Sequence, residues 1–148
     1  MSNGDPVGQA WAIRPFEMQD YPAVLRLWQT AGAGVTIRPS DSPEEVAKKC
    51  ARDGELFLVA EQEGQIIGVI MGAWDGRRGW LHHLAVNTAH RGRGVASSLV
   101  RAVEEGLRAK GCLKVNLLVS LANEEARALY RSLGYAEMHG FLPMGKEL

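Results

Sequence analysis

Apolar and polar positions along the chain change period several times, and these changes separate predicted helices from predicted strands. Leu99, Val103 and Leu107 recur at four-residue intervals, a spacing typical of a helix with one apolar face. The segment 56–61 is instead a short apolar run typical of a strand. Strands are predicted at 11–14, 56–61, 65–73, 80–86 and 114–120, with one or two more in 135–148, and helices at 20–31, 42–53, 95–110 and 124–133.

Short polar signals mark where these elements begin and end. The segment from Ser42 to Glu45 has the form of a capping box with proline at the first helical position. Asp20 is the expected N-cap of the first helix, and Gly111 is expected to close the third. The dipeptide at 63–64 predicts the turn of a β-hairpin.

The order of the elements predicts an α/β (α+β) fold with one mixed sheet of six to seven strands. Three successive strands joined by short turns form an antiparallel meander. The later strand–helix–strand units need crossovers, which place helices on both faces and make two adjacent strands parallel. A ligand can enter where such a parallel pair splays apart. We expect a flexible tail at 1–10 and a single domain at 11–148.

Composition narrows the class of protein. The chain has 148 residues, 46% of them hydrophobic and 23% charged, as in ordinary soluble globular proteins, and no apolar segment long enough to span a bilayer. Its 17 basic and 17 acidic residues cancel, which disfavours nucleic-acid and membrane-surface partners. Cys50 and Cys112 fit neither a zinc spacing nor a disulfide framework, so no metal is expected. Because the N-terminal segment lacks the features of a secretory signal, we expect a cytoplasmic protein.

The segment from Arg91 to Ala96 has the clearest chemical pattern. Gly92 and Gly94 lie between a predicted strand and a predicted helix, where they let the backbone approach a ligand and leave helix N–H groups free. The helix dipole and the guanidinium groups of Arg91 and Arg93 favour an anion at this point. The segment therefore predicts a cradle for a diphosphate.

The residues alone leave other interpretations of this glycine pair open. A dinucleotide-binding turn would have a third glycine where Ser97 stands, and an acidic residue about twenty positions further on at the end of the next strand, and this chain has neither. A loop that binds nucleotide triphosphates would end in Gly-Lys followed by Ser or Thr, which is also absent. The two glycines could instead form nothing more than a tight strand-to-helix turn.

Two motifs on these elements resemble the signatures of the GCN5-related N-acetyltransferases, the GNAT family. Arg91-x-x-Gly94-x-Ala96 matches the family motif whose backbone amides hold the pyrophosphate of coenzyme A. The segment 123–135, which reads Asn-x-x-Ala-x-x-Leu-Tyr-x-x-x-Gly-Tyr, is similar to the second family signature with its spacing intact. Within the family, the segments 57–61 and 71–79 and the ending Gly145-Lys146 are similar to small bacterial YpeA-like acetyltransferases.

The resemblance implies acetyl-CoA, and therefore coenzyme A, as the co-substrate. The segment 84–86 stands where the family has a bulged strand whose backbone pairs with the pantetheine arm, and the Asn123 side chain would face that arm. The implied coenzyme-binding residues are Leu84, Ala85, Val86, Arg91, Gly92, Arg93, Gly94, Val95, Ala96, Ser97, Asn123 and Tyr130.

The implied reaction moves an acetyl group directly to a primary amine of a small molecule or peptide, in a ternary complex and without a covalent enzyme intermediate. The resemblance assigns to Tyr130 the proton that the leaving thiolate receives. A backbone N–H at Ala85 or Val86 is expected to stabilise the carbonyl oxyanion, because a bulged strand leaves an amide without its ladder partner.

Histidines on the strand beside the coenzyme are candidates for the general base. His82 and His83 are expected to point to opposite faces, and His82 is preferred because it is similar in position to a catalytic histidine of some small-amine acetyltransferases. Asp75, in the preceding turn, is a further candidate for the general base and is expected on the acceptor side of the site. The other residues expected to wall the acceptor pocket are Trp28, Thr36, Arg38, Met138, His139 and Phe141, with Arg38 able to hold a carboxylate.

Other functions are weighed against this one. Leu118 stands where ribosomal-protein N-terminal acetyltransferases usually carry a glutamate, which disfavours a protein N-terminus as the acceptor. A non-catalytic acyl-CoA-binding sensor or interaction module is the alternative, and intact Asn123 and Tyr130 disfavour it. A nucleic-acid binder using the arginines of the cradle is disfavoured by the zero net charge. Homodimers are common in the resembled family, although no residue of this chain marks an interface.

Overall fold

A computed structural model describes residues 11–148, so the tail predicted at 1–10 lies outside the described residues. The elements in chain order are β1 (Ala12–Pro15), α1 (Tyr21–Gln29), α2 (Pro43–Asp53), β2 (Phe57–Gln62), β3 (Gln65–Trp74), β4 (Gly79–Val86), α3 (Val95–Ala109), β5 (Val115–Leu117) and α4 (Glu124–Ser132). Short 3₁₀ turns at Gly32–Gly34 and Pro39–Asp41 lie between α1 and α2. Most predicted bounds agree with these to within two residues.

The strands form one mixed sheet in the order β1-β2-β3-β4-β5. The first three pairings are antiparallel and β4–β5 is parallel, so the predicted meander and parallel pair are confirmed. Glu63 and Gly64, with φ of 50° and 77°, make the predicted hairpin turn between β2 and β3. Two successive residues with positive φ are the geometry that a two-residue hairpin needs.

Helices pack on both faces of the sheet, and each face has its own apolar core. The predicted stripe of α3, Leu99, Val103 and Leu107, is completely buried against one face. The opposite face is covered by α1 and α2, with Val24 and Val46 among the buried residues. The four α-helices and the mixed sheet of residues 11–148 therefore confirm the predicted α/β class.

Strand β4 contains a bulge that positions the site. Val69 of β3 pairs with Ala85, but Met71 pairs with His82, so two residues of β4 lie opposite one residue of β3. The bulge is centred on His83, whose φ is 53°. Beyond it β4 departs from β5, since the parallel pairing stops at Leu81↔Leu117 while β4 continues to Val86. The splayed parallel pair predicted from the order of elements is therefore present.

The prediction of six to seven strands is wrong for the described residues, which form five. The strand expected at 114–120 is only three residues long, because the bulge turns β4 away and removes its partner. No strand forms at 135–148, where glycines 140 and 145 and the proline at 143 interrupt the apolar pattern. Phe141, Leu142 and Met144 in this segment are exposed.

The N-cap predicted at α2 is confirmed, the capping box there is only half formed, and the cap at α1 differs. The Ser42 hydroxyl accepts the Glu45 N–H, but the Ser42 N–H donates to the Pro39 carbonyl and the Glu45 carboxylate pairs with Lys48. Asp20 precedes α1 but makes no cap bond to it, because its carboxylate is held by the Arg14 guanidinium at 2.8 and 3.0 Å. Asp20 also accepts the Glu17 N–H, and these hydrogen bonds, led by Arg14, lower its pKa.

Candidate functional site

A cavity of about 730 Å³ opens where β4 leaves β5. Its walls come from the last residues of β4, the loop into α3, the first turns of α3 and α4, and the 3₁₀ turn Gly32–Gly34. The implied coenzyme-binding residues at this cavity are Leu84, Ala85, Val86, Arg91, Gly92, Gly94, Val95, Ala96, Ser97 and Asn123, which leaves out Arg93 and Tyr130. The structure thus brings most of the implied coenzyme site to one place.

The loop into α3 presents unpaired backbone donors to this cavity. Gly94 is the N-cap of α3 and has no side chain to cap the first helical N–H groups. Gly92 and Gly94 have φ of 78° and 91°, a region that disfavours other residues, and a Cβ on either would meet no atom within 4 Å. Open space, free N–H groups and the positive end of a 15-residue helix together suit a bound anion. The diphosphate of coenzyme A fits these residues.

The backbone of β4 offers a free edge beside the cradle. The Asn87 N–H donates to the Ile67 carbonyl of β3 at 2.8 Å. Because strand N–H groups alternate in direction, the Ala85 N–H also faces β3 and the Val86 N–H faces the gap. The Leu84 carbonyl points the same way, since it lies 4.0 Å from where a Cβ of Gly34 would be. Of the two oxyanion donors predicted, the geometry favours Val86.

Arg91 and Asn123 line the same cavity as the free edge of β4. The Arg91 Nε donates to the Val86 carbonyl at 3.4 Å, and its Nη1 lies 3.9 Å from the Glu125 carboxylate across the cavity. Asn123 is the N-cap of α4, where its Oδ1 accepts the Ala126 N–H at 3.1 Å. Its Nδ2 lies toward the turn at Gly32–Gly34 and lines the cavity. Asn123, the first residue of the second family signature, therefore both caps α4 and lines the cavity.

Tyr130 lies just behind the cavity. Its neighbour Leu129 lines the wall, while Tyr130 packs against the α3-side core and edge-on to Tyr135, with ring centroids 5.7 Å apart. Burial raises the pKa of Tyr130 to about 12. The phenol therefore stays protonated at neutral pH and can donate a proton but not accept one.

The two histidines of β4 do not point to opposite faces as expected. The positive φ of His83 breaks the strand alternation, so its ring packs edge-on to Trp28, on the α1 side, at a centroid distance of 5.1 Å. His82 stacks on Trp80 at 6.2 Å and remains accessible to solvent. Its pKa is lowered, first by partial burial and further by its neighbours His83 and Lys49, the latter on α2. Both imidazoles thus lie on the α1/α2 face.

Three residues expected at the acceptor pocket lie in the core, in a turn or in an exposed loop. Trp28 is only 1% exposed and belongs to the core, because it lies on the apolar face of α1, so it does not wall a pocket. Asp75 accepts the N–H groups of Arg77 and Arg78, both at 2.7 Å, and these bonds lower its pKa and make it a poor base. Thr36 is exposed in the loop after α1.

Arg38 lines a second, shallower cavity of about 500 Å³ beside Leu118 and the segment 143–147. Within residues 11–148 its guanidinium has no carboxylate partner, so an anionic group can still reach it. Met138 and Phe141, expected on a last strand, are exposed in a segment without strand pairing. The acceptor side is therefore more open than the sequence predicts.

Sequence reasoning missed three polar residues near the site. His90 and Glu125 line the cavity, and His90 is held by the Gln62 side chain at 3.0 Å. Asp41 is buried beside His83. Glu125 lies inside the matched segment 123–135 and could have been found from it, whereas nothing in the sequence links Asp41 to a strand 42 residues away.

Residues 11–148 contain neither a candidate metal site nor a candidate membrane span. No group of three or more His, Cys, Asp or Glu side chains among them is arranged to hold a metal ion. No helix in this part of the chain is both long and apolar enough to cross a membrane. Cys50 and Cys112 are both free thiols.

Comparison with known proteins gives consistent results. Residues 4–135 match the model of the acetyltransferase (GNAT) family. An acetyltransferase of Sodalis glossinidius is 39% identical over 137 residues, which is 92% of this chain and 94% of that protein. The chain belongs to the acetyltransferase (GNAT) family. An acetyltransferase of Pectobacterium atrosepticum has the same identity and coverage.

Solved structures of other proteins share the fold. Ard1 from Thermoplasma volcanium is 26% identical and superposes with a TM-score of 0.76, covering 86% of this chain and 83% of that one. The PaiA N-acetyltransferase of Thermoplasma acidophilum, solved in complex with coenzyme A, is 20% identical with a TM-score of 0.74, covering 84% and 89% of the two chains. These structures confirm the fold class, and the family match with the relatives at 39% identity confirms the family resemblance and the enzyme class, an acetyltransferase.

Proposed function

We propose that this GNAT protein takes acetyl-CoA as its donor and transfers the acetyl group directly to a primary amine of a small molecule or peptide. The observation that carries the proposal is the shared cavity. Free N–H groups at the start of α3 lie at one end of it, and the unpaired edge of β4 runs along it. Such a cavity suits a ligand with a diphosphate at one end and an amide-containing arm beyond it.

Binding is divided between two surfaces in this proposal. The N–H groups of Val95, Ala96 and Ser97 hold the diphosphate, and Arg91 exchanges its long contact with Glu125 for a phosphate oxygen. The free N–H and C=O groups of β4 pair with the amides of the pantetheine arm, as a further strand would. The bound coenzyme supplies an acyl group activated as a thioester.

Three groups of the chain then act on the reaction. The Val86 N–H stabilises the negative charge that develops on the carbonyl oxygen. Tyr130, whose phenol is protonated at neutral pH, donates a proton to the leaving thiolate. Because Tyr130 does not line the cavity, its side chain rotates toward the cavity or a water molecule bridges the distance. The third group takes the proton of the acceptor amine.

The proposal is tested by thiol release from acetyl-CoA in the presence of a panel of primary amines. We expect coenzyme A to raise the melting temperature and at least one amine to release thiol at a rate that depends on its concentration. Coenzyme A protection without thiol release for any amine would instead support the alternative, an acyl-CoA-binding sensor or interaction module. Absence of both effects would refute the proposed donor.

A further inference from the structure

A histidine–carboxylate pair, His83 and Asp41, adjoins residues of both cavities without lining either: His83 precedes Leu84 of the larger cavity, and Asp41 contacts Arg38 of the smaller one. The His83 Nε2 is 2.9 Å from both carboxylate oxygens of Asp41. Asp41 is 5% exposed, and its Oδ2 also accepts the Arg38 N–H at 3.0 Å. A buried carboxylate that contacts one ring nitrogen fixes both the orientation and the tautomer of an imidazole.

The fold places this pair through two local features. The bulge in β4, with φ of 53° at His83, turns the ring out of the strand alternation and against Trp28. The 3₁₀ turn Pro39–Asp41 brings the carboxylate to the ring, and the Tyr21 hydroxyl holds that turn by donating to the Asp41 carbonyl at 2.8 Å. The bulge in β4 and the 3₁₀ turn together bring the His83 ring into contact with the Asp41 carboxylate.

The remaining ring nitrogen is available for chemistry. With Nε2–H donated to Asp41, the Nδ1 of a neutral His83 carries a lone pair, and it has no hydrogen-bond partner among residues 11–148. His83 directly precedes Leu84, whose carbonyl faces the cavity. His82 lacks these features, since it stacks on Trp80 and no carboxylate in the described part of the chain holds it.

We propose that His83, oriented by Asp41, is the general base that takes the proton from the acceptor amine; this inference rests on the proposed acetyl transfer. The amine nitrogen bonds to the acetyl carbon, the carbon–sulfur bond breaks, and its electron pair leaves with sulfur. One nitrogen proton passes to the Nδ1 of His83, and the thiolate takes a proton from Tyr130. Atoms and charge balance without any further reactant. His83 is thus a catalytic residue, and Asp41 is a positioning residue.

The positive φ of His83 allows a clean test, because glycine and asparagine accept that backbone conformation. His83→Gly and His83→Asn should each lower kcat by about 10²-fold or more, with the affinity for coenzyme A unchanged. The matched variant His82→Asn should keep kcat within about threefold of wild type, because a general base accounts for about 10²-fold or more and His82 is not one. Added imidazole should restore part of the lost rate in His83→Gly, since that variant opens a space beside Asp41.

The positioning role of Asp41 is tested in the His83→Gly variant. Asp41→Asn combined with His83→Gly should weaken the rescue by imidazole, because the free ring loses the carboxylate that orients it. A purely structural role of Asp41 would leave that rescue unchanged and would exclude it as a positioning residue. Wild-type kcat in His83→Gly, or a loss that imidazole does not reverse, would overturn the assignment of His83. An inactive wild type that binds coenzyme A would refute the proposed transfer itself, and this inference with it.

Discussion

Gly94→Ala should weaken the binding of coenzyme A by more than its effect on stability explains. Gly94 has φ of 91°, so alanine there costs about 1–2 kcal/mol of backbone strain. A strain of that size lowers the melting temperature of a chain of this length by about 2–8 °C. The new Cβ meets no protein atom within 4 Å, and Gly94 lines the cavity, so the methyl group occupies open space at the cradle and not the core.

The effect on coenzyme affinity follows from the same geometry. A methyl group in the cradle holds the diphosphate away from the N–H groups of α3 and weakens at least one charge-assisted hydrogen bond. Losing one such bond costs about 1.5–3 kcal/mol. The Kd for coenzyme A should therefore rise by about 10- to 150-fold.

Gly111 offers a matched control at the other end of the same helix. Its φ is 88° and its Cβ would also meet nothing within 4 Å, so Gly111→Ala carries a similar strain. The 15 residues of α3 separate the two sites by about 22 Å. Calorimetric titration with coenzyme A, beside thermal melts, should show similar melting temperatures for the two variants and weaker binding for Gly94→Ala alone. Equal Kd values for the two variants would refute the cradle.

Three further predictions concern catalysis and stability. Tyr130→Phe should lower kcat by about 10²-fold or more with little change in the Kd for coenzyme A, and an unchanged kcat would remove Tyr130 from the mechanism. Asp20→Asn should cost about 1–3 kcal/mol at neutral pH through the lost contact with Arg14. Because Arg14 lowers the pKa of Asp20 in the folded chain, this difference is present above the unfolded pKa of about 4 and is lost as pH falls through the folded value. Urea curves should therefore converge in acid, and a constant difference would contradict the ion pair. Gly72→Ala should lower the urea midpoint by overpacking worth about 1–3 kcal/mol, because its Cβ would lie 2.5 Å from Val103 Cγ1; an unchanged midpoint would contradict that contact.

Local signals are enough to predict most of the elements and the glycine turn that begins α3. The four-residue stripe of α3, the N-cap at Ser42 and the hairpin turn at Glu63 each act within a few residues, so their outcome does not depend on the rest of the fold. The glycine turn is equally local, because a strand, a glycine pair and a helix start follow one another directly. Short segments of the amino-acid sequence therefore suffice to predict these features.

Features that depend on pairing between distant segments are not predictable in this way. The bulge at His83 arises from the register of β3 against β4, and alternation alone placed the two histidines on opposite faces. Trp28 was expected at a pocket because loops wall pockets, but it lies on the buried face of α1. The pair of His83 with Asp41 joins two irregular segments, and neither signals the other in the sequence.

The strands predicted in the C-terminal segment 135–148 are absent because no neighbouring strand is available to pair with them. Its apolar residues suggested one or two strands, and a strand is stable only if a neighbour supplies hydrogen bonds. Strand β5 ends at Leu117 and offers a short edge, while the proline at 143 lacks a donor. Composition alone therefore overestimated the sheet by one or two strands.

The central claim is that one cavity holds the donor and delivers its acetyl group to an amine. It is tested most directly by measuring, in one reaction with acetyl-CoA and an accepted primary amine, both the thiol released and the acetylated amine formed. The account predicts one acetylated amine for each thiol. Thiol release without acetylated amine, or coenzyme binding with neither product across the amine panel, would contradict it.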